Sequence, residues 1–223
     1  MKSTNKLQKI AWGLVGWCVV FLVVLAGRPS FTNASLPVRG VADPVVALQM
    51  ARTADDVEAV LGEAPSADRE VMRVKQDVDC GVIAGYLGLG LVIGAWLGRG
   101  RGWLLAGLTI VAALLDVREN LQTLRVVNLG LSHVNSAMLD GLRLTSMTKW
   151  TVLAAAITLL ASVTVGQKQW YLRSAGFVSL TGAALTVAGL FYNSILVWGG
   201  LLMFLGLLLT AATLKVIPHE SAS

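Results

Sequence analysis

Apolar residues in this chain gather into blocks about twenty positions long, the length a helix needs to cross roughly 30 Å of hydrocarbon. The first block, residues 10 to 26, reads IAWGLVGWCVVFLVVLA and follows Lys2, Lys6 and Lys9. A second, 80 to 98, reads CGVIAGYLGLGLVIGAWLG and stops at Arg99 and Arg101. The third starts near Trp103, runs through LLAGLTIVAALL into Asp116, Arg118, Glu119 and Asn120, and ends near Arg125. After a polar connection, a fourth block begins at Lys149 and Trp150 and reaches about Gly166. Two more, 174 to 192 and 194 to 214, meet at Tyr192, Asn193 and Ser194. This pattern predicts an all-α, polytopic helical membrane protein with six transmembrane helices, because a spanning segment must satisfy its own backbone hydrogen bonds.

Residues 27 to 79 differ in kind, with nine acidic residues against six basic ones. The stretch opens on the extended link RPSFTNASLP. Asp43 and Pro44 then supply a helix cap and a first-turn proline. Val46, Met50, Val57, Val60 and Leu61 recur at helical spacing as far as a stop at Gly62. A second helix, from about Ser66 through Val78, is expected to run straight into the next span.

Composition makes the membrane the solvent. Of 223 residues, 55% are hydrophobic and 14% charged, against roughly 25% charged in a soluble domain. Mean hydropathy is +0.69. The net charge of +5 does not point to nucleic acid, since the basic residues stand singly at block ends rather than in a stripe interleaved with aromatics. Their placement instead sets orientation. Lys2, Lys6, Lys9, Arg99, Arg101, Lys168, Arg173 and Lys215 fall on one side of six threaded spans, which puts both termini in the cytoplasm. The organisation that follows is a first span within 1–26, an extracytoplasmic acidic helical segment over 27–79, a five-helix bundle over 80–217 and a cytoplasmic tail over 218–223. Val24 and Ala26 also fit a signal-peptidase rule, but the first block is longer than a signal core and carries Trp12 and Trp17, which favours an uncleaved anchor. The seven tryptophans mostly sit near span ends, as an aromatic belt does.

Candidate chemistry comes from ionisable residues at membrane depth, which are costly unless paired. Asp116, Glu119 and Asn120 stand at i, i+3 and i+4 and share a helix face. With a rise of ~1.5 Å per residue, Asp116 and Tyr86 fall at one level, and Asp79 lies seven residues before Tyr86 on the same face. Lys149 enters the fourth span near Asp79 and reaches inward toward Glu119. Three spans thus bring Asp79, Tyr86, Asp116, Glu119, Asn120 and Lys149 to the outer half of the bilayer, while Arg118 points away. Cys18 and Cys80 read as packing residues, His133 and His219 are too far apart for a metal site, and no motif for a cofactor, nucleotide or nucleophilic triad occurs. Asn33 opens an N-x-S pattern that reads as a linker asparagine.

The helical ALQMARTADDVEAVLG element before a span, the Asp79 to Tyr86 spacing, D-V-R-E-N closing the third span and Lys149-Trp150 opening the fourth resemble features of uncharacterised bacterial multi-span membrane proteins. The resemblance covers about residues 45 to 150. It implies that these polar positions belong together, and it carries no activity with it.

The first expectation for the cluster is a salt-bridged clamp between the third and fourth spans, with Lys149 and Arg125 nearby. The alternatives are a binding or transport site for a small solute or lipid headgroup, or a membrane-embedded enzyme in which Asp116 and Glu119 act as acid and base on a lipid-borne substrate. A third class, an interaction scaffold, would dock partners on residues 27 to 79. Membrane lipids are the expected partners. Glycines four apart at Gly81 and Gly85, and at Gly90, Gly94 and Gly98, offer bare helix faces for close packing or self-association.

Overall fold

The computed structural model describes residues 2–27, 30–33, 37–98 and 100–213, with side chains from residue 6 onward. The basic residues Lys2, Arg28, Arg99 and Lys215, along with His219 and the 218–223 tail, lie outside the described side chains, as does Ser35 of the N-x-S pattern. Among the described residues the chain is all-helical: α1 (Lys2–Ala26), α2 (Pro44–Gln49), α3 (Ala54–Leu61), α4 (Ala67–Leu97), α5 (Arg101–Asn128), α6 (Ser136–Thr164), α7 (Trp170–Gly189) and α8 (Leu196–Ala212). Four of these, α1, α4, α6 and α8, are long and apolar enough to cross a membrane. The other two long helices are interrupted by polar residues. α5 carries Asp116, Arg118, Glu119 and Arg125, and α7 carries Arg173 among several Ser and Thr.

Local chemistry sets where each helix starts and stops. The Asp43 side chain accepts from the Val46 N–H at 3.0 Å with Pro44 behind it, so α2 begins as its sequence requires. The apolar spacing from Val46 to Leu61 does not make one helix, however. Thr53 and Asp56 form a capping box that restarts the chain as α3, and Gly62 ends it at positive φ. α4 joins the expected second polar helix and the following span into one 31-residue rod, about 47 Å long. Gly98 and Gly100, both at positive φ, turn the chain tightly into α5. The expected polar connection after α5 is shorter than the sequence suggested. Asn135 caps the Met138 N–H at 3.0 Å, and α6 runs from Ser136 well before Lys149.

Successive long helices pack side by side, α4 on α5, α5 on α6, α6 on α7 and α7 on α8, and α1 leans on α4. The glycine faces of α4 admit two of these neighbours. Gly81 and Gly85 receive Phe21 and Cys18 of α1, and Gly90 and Gly94 lie against Thr109, Gly102 and Ala106 of α5. Trp17 donates to the Gly81 carbonyl at 2.8 Å. At the far end of α1, Lys75 donates to the carbonyls of Leu25 and Gly27. Cys18 is buried as expected, whereas Cys80, also expected to pack, is exposed.

The segment before α4 folds into a cap with its own apolar core. Leu48, Met50, Val57, Leu61 and Met72 pack with Val126, Val127, Leu139 and Leu196 at the ends of α5, α6 and α8. Two charged residues at the start of α4 fasten it. Asp68 accepts from the Thr32 N–H at 2.7 Å, the Thr32 hydroxyl at 2.9 Å and the Asn33 N–H at 3.0 Å. Arg69, 2% exposed, donates to the carbonyls of Val127 and Leu129 at 2.7 Å each and to Gly62 at 3.1 Å. The first two are carbonyls that the end of α5 leaves without helical partners, and the third closes α3.

Two measurements check the cap. Arg69→Met strands several buried carbonyls and is expected to lower stability by about 2–4 kcal/mol, seen as a drop in thermal midpoint. Partial burial works to raise the Asp56 carboxyl pKa, but the N–H groups of Arg52 and Thr53 and the Arg39 guanidinium outweigh it and hold the group below its ordinary value. Its contribution is therefore present at neutral pH and lost as pH falls through that depressed value. Asp56→Asn should flatten the acid limb of cap stability measured by hydrogen exchange.

Candidate functional site

A lysine ammonium inside a helical bundle is tolerated only where its protons find acceptors. Lys149, on α6 and 4% exposed, satisfies that condition with both carboxylates of α5. It donates to Asp116 Oδ1 at 2.9 Å and to Glu119 Oε1 at 2.7 Å, and its ammonium lies 4.8 Å from the centroid of the Trp150 ring. The helical spacing of Asp116 and Glu119 explains how one cation meets both.

The remaining groups close around these three. Tyr86 of α4 donates its hydroxyl to Asp116 Oδ2 at 3.0 Å, and Asn120 donates to Asp79 Oδ2 at 2.9 Å. Ser146, one turn before Lys149 on α6, donates to Glu119 Oε2. Gln49, at the end of α2 in the cap, donates Nε2 to Glu119 Oε1 at 2.6 Å. All six residues singled out in the sequence thus come together, while Arg118 and Arg125 are exposed on α5. The bonding is uneven. Glu119 accepts from Lys149, Gln49 and Ser146, and Asp116 from Lys149 and Tyr86, whereas Asp79 is only half-buried.

Sequence reasoning missed Gln49, Gln76, Ser146 and the cavity-facing edge of Trp150. Ser146 carried a usable signal, since it lies three residues from Lys149 and so on the same face. Gln49 carried none, because its partner is 70 residues away and is reached only once the cap has docked.

The cluster forms one end of a cavity of about 500 Å³ lined by α1, α4, α5, α6, α8 and the cap and open to the outside along part of its wall. Polar side chains line the end beneath the cap: Gln49, Gln76, Asp79, Asp116, Glu119, Asn120 and Lys149. Away from it the wall turns apolar, with Leu153, Ala156 and Ile157 of α6 facing Met203, Phe204 and Leu207 of α8. Along α5 the lining reaches from Asn120 back to Leu105, about 22 Å of helix. The space is long, polar at one end and greasy along its length.

Against family models, curated proteins and solved structures, the chain matches nothing.

Removing one member of a buried ion group costs more than removing all of it. Lys149→Met is expected to lower stability by about 3–5 kcal/mol by leaving two facing carboxylates without their cation. Adding Asp116→Asn and Glu119→Gln to Lys149→Met should recover most of that loss, read as the thermal midpoint of detergent-solubilised protein.

Proposed function

We propose that this chain is a multi-pass protein of the cell membrane, with six spans and both termini cytoplasmic, whose internal cavity holds an amphiphile drawn from the surrounding lipid. The observation that carries this reading is the cavity itself. A space of about 500 Å³ with its polar groups at one end and apolar walls along some 22 Å of helix has the form of a molecule with a head and a tail, and ligand sites are commonly cavities of roughly this size.

Lys149 belongs to both functions first expected of the cluster. By joining Asp116 and Glu119 it ties α5 to α6, as a clamp does, and it also fixes the polar floor against which a head group rests. The acid and base pair suggested for catalysis is a weaker reading here, because both carboxylates already accept from several donors. Six spans are favoured over four because α5 and α7 pack within the same bundle. Five of the exposed aromatics stand near helix ends, Trp103 and Trp170 where α5 and α7 open and Phe191, Tyr192 and Trp198 at the opposite end, while Trp12, Trp17 and Phe177 lie farther along their helices.

Two experiments test the proposal. After Cys18 and Cys80 are replaced by serine, an impermeant thiol reagent on intact cells should label Ser132→Cys and spare Lys168→Cys; the reverse pattern inverts the orientation. For the cavity, protein purified from membranes should carry an extractable amphiphile at near-stoichiometric amount by mass spectrometry. Ala156→Phe, which narrows the apolar wall, should lose it while remaining helical and monodisperse, with a lower thermal midpoint. Retention of the same amphiphile by a folded Ala156→Phe protein would sink the reading.

A further inference from the structure

Resting on the amphiphile reading, we infer that the head group this cavity takes is a donor-rich cation, a protonated amine, rather than a carboxylate, phosphate or other anion. The first ground is charge. Asp79, Asp116 and Glu119 on the lining stand against Lys75 and Lys149, with Asp43 exposed beside Lys75, so away from solvent the acidic groups outnumber the basic ones by one. Both lysines are already engaged. Lys149 holds Asp116 and Glu119, and Lys75 is turned to the carbonyls of Leu25 and Gly27 at the end of α1. An anionic head would therefore meet carboxylates without an uncommitted lysine to receive it, in a medium where such repulsion is weakly screened.

The second ground is independent of charge. Two buried glutamines on the lining each keep an amide oxygen without a partner, Gln49 Oε1 and Gln76 Oε1. Both residues are at least nine-tenths buried. For Gln49 the choice of atom is fixed by its neighbour, since the nitrogen must face the Glu119 carboxylate, which leaves the oxygen as the group without a donor. A buried acceptor left bare is costly, and a site built around such acceptors discriminates strongly against ligands that bring no N–H or O–H. Half-buried Asp79 stands on the same helix as Gln76, three residues on, so a carboxylate and an amide oxygen share one helix face at the polar end. An ammonium offers donors to all three. Trp150 Nε1, also on the lining and without a partner, suits a hydroxyl or carbonyl oxygen placed next to that nitrogen.

The test uses the full chain in lipid nanodiscs, with empty nanodiscs correcting for partition, and four probes: decylamine, decanol, decanoic acid and ethylamine. Binding is read by thermal shift and by native mass spectrometry. Decylamine is expected to bind about tenfold more tightly than decanol, with decanoic acid weakest. Asp79→Asn should weaken decylamine by about tenfold and decanol by less than about threefold. Gln76→Met, which leaves the ion group untouched, should weaken decylamine by about threefold even if Asp79→Asn proves unstable. Decanoic acid matching decylamine, or a decylamine preference unchanged in both variants, overturns the amine inference while decanol binding leaves the amphiphile cavity standing. Failure of all three long-chain probes removes the amphiphile reading beneath it. Ethylamine binding as tightly as decylamine overturns the amphiphile reading too, because the apolar wall would then contribute nothing.

Discussion

A charge that has left water must be met by another, and around Lys149 this one requirement organises three helices and the cap. The ammonium needs acceptors, which α5 supplies one turn apart as Asp116 and Glu119. Those carboxylates in turn need donors beyond the lysine, and Tyr86 of α4, Ser146 of α6 and Gln49 of the cap provide them. Each link fixes a helix rotation, because a side chain one position away points about 100° around the axis. Apolar packing brings these helices together without choosing their register, since lipid is as greasy as leucine. The polar group adds that choice where it ties α5 to α6, and its side chains form the polar end of the cavity.

Much of this was legible in the chain. Asp116, Glu119 and Asn120 follow the helical repeat inside an apolar block, and a lone lysine at Lys149 had few partners that were not across the bundle. The level shared by Tyr86 and Asp116 follows from counting residues along two antiparallel rods. What escaped did so for physical reasons. The apolar period from Val46 to Leu61 continues across a break that only the Thr53 and Asp56 capping box creates, so periodicity alone joined two helices into one. Residues 136 to 148 look polar because most of that stretch of α6 faces outward, with Ser136, Asp140 and Thr148 exposed and a narrow face that includes Leu139 and Leu142 buried, so an apolar block does not reveal the first four turns of the helix. The cavity was beyond reach, since empty space leaves no mark in a sequence.

The cap and the bundle meet through groups that neither can satisfy alone. Arg69 closes the end of α5 from the foot of the cap, and Gln49 reaches Glu119 from its underside. Both contacts cross a boundary that composition draws sharply at about residue 79, between an acidic stretch and an apolar one. Such a boundary suggests two separable pieces. The bonding makes them one unit, because α4 runs unbroken through both and carries Arg69 at one end and Tyr86 farther along.

Lys75 has a consequence for how the molecule is made. The last carbonyls of α1 have no helical partners, and the ammonium that covers two of them comes from a residue 50 positions later in the chain. During synthesis the N-terminal helix emerges first, and those carbonyls lack this donor until α4 packs beside α1. Assembly is thereby ordered in time. One side chain, together with glycines that admit Phe21 and Cys18, makes α1 a wall of the finished chamber.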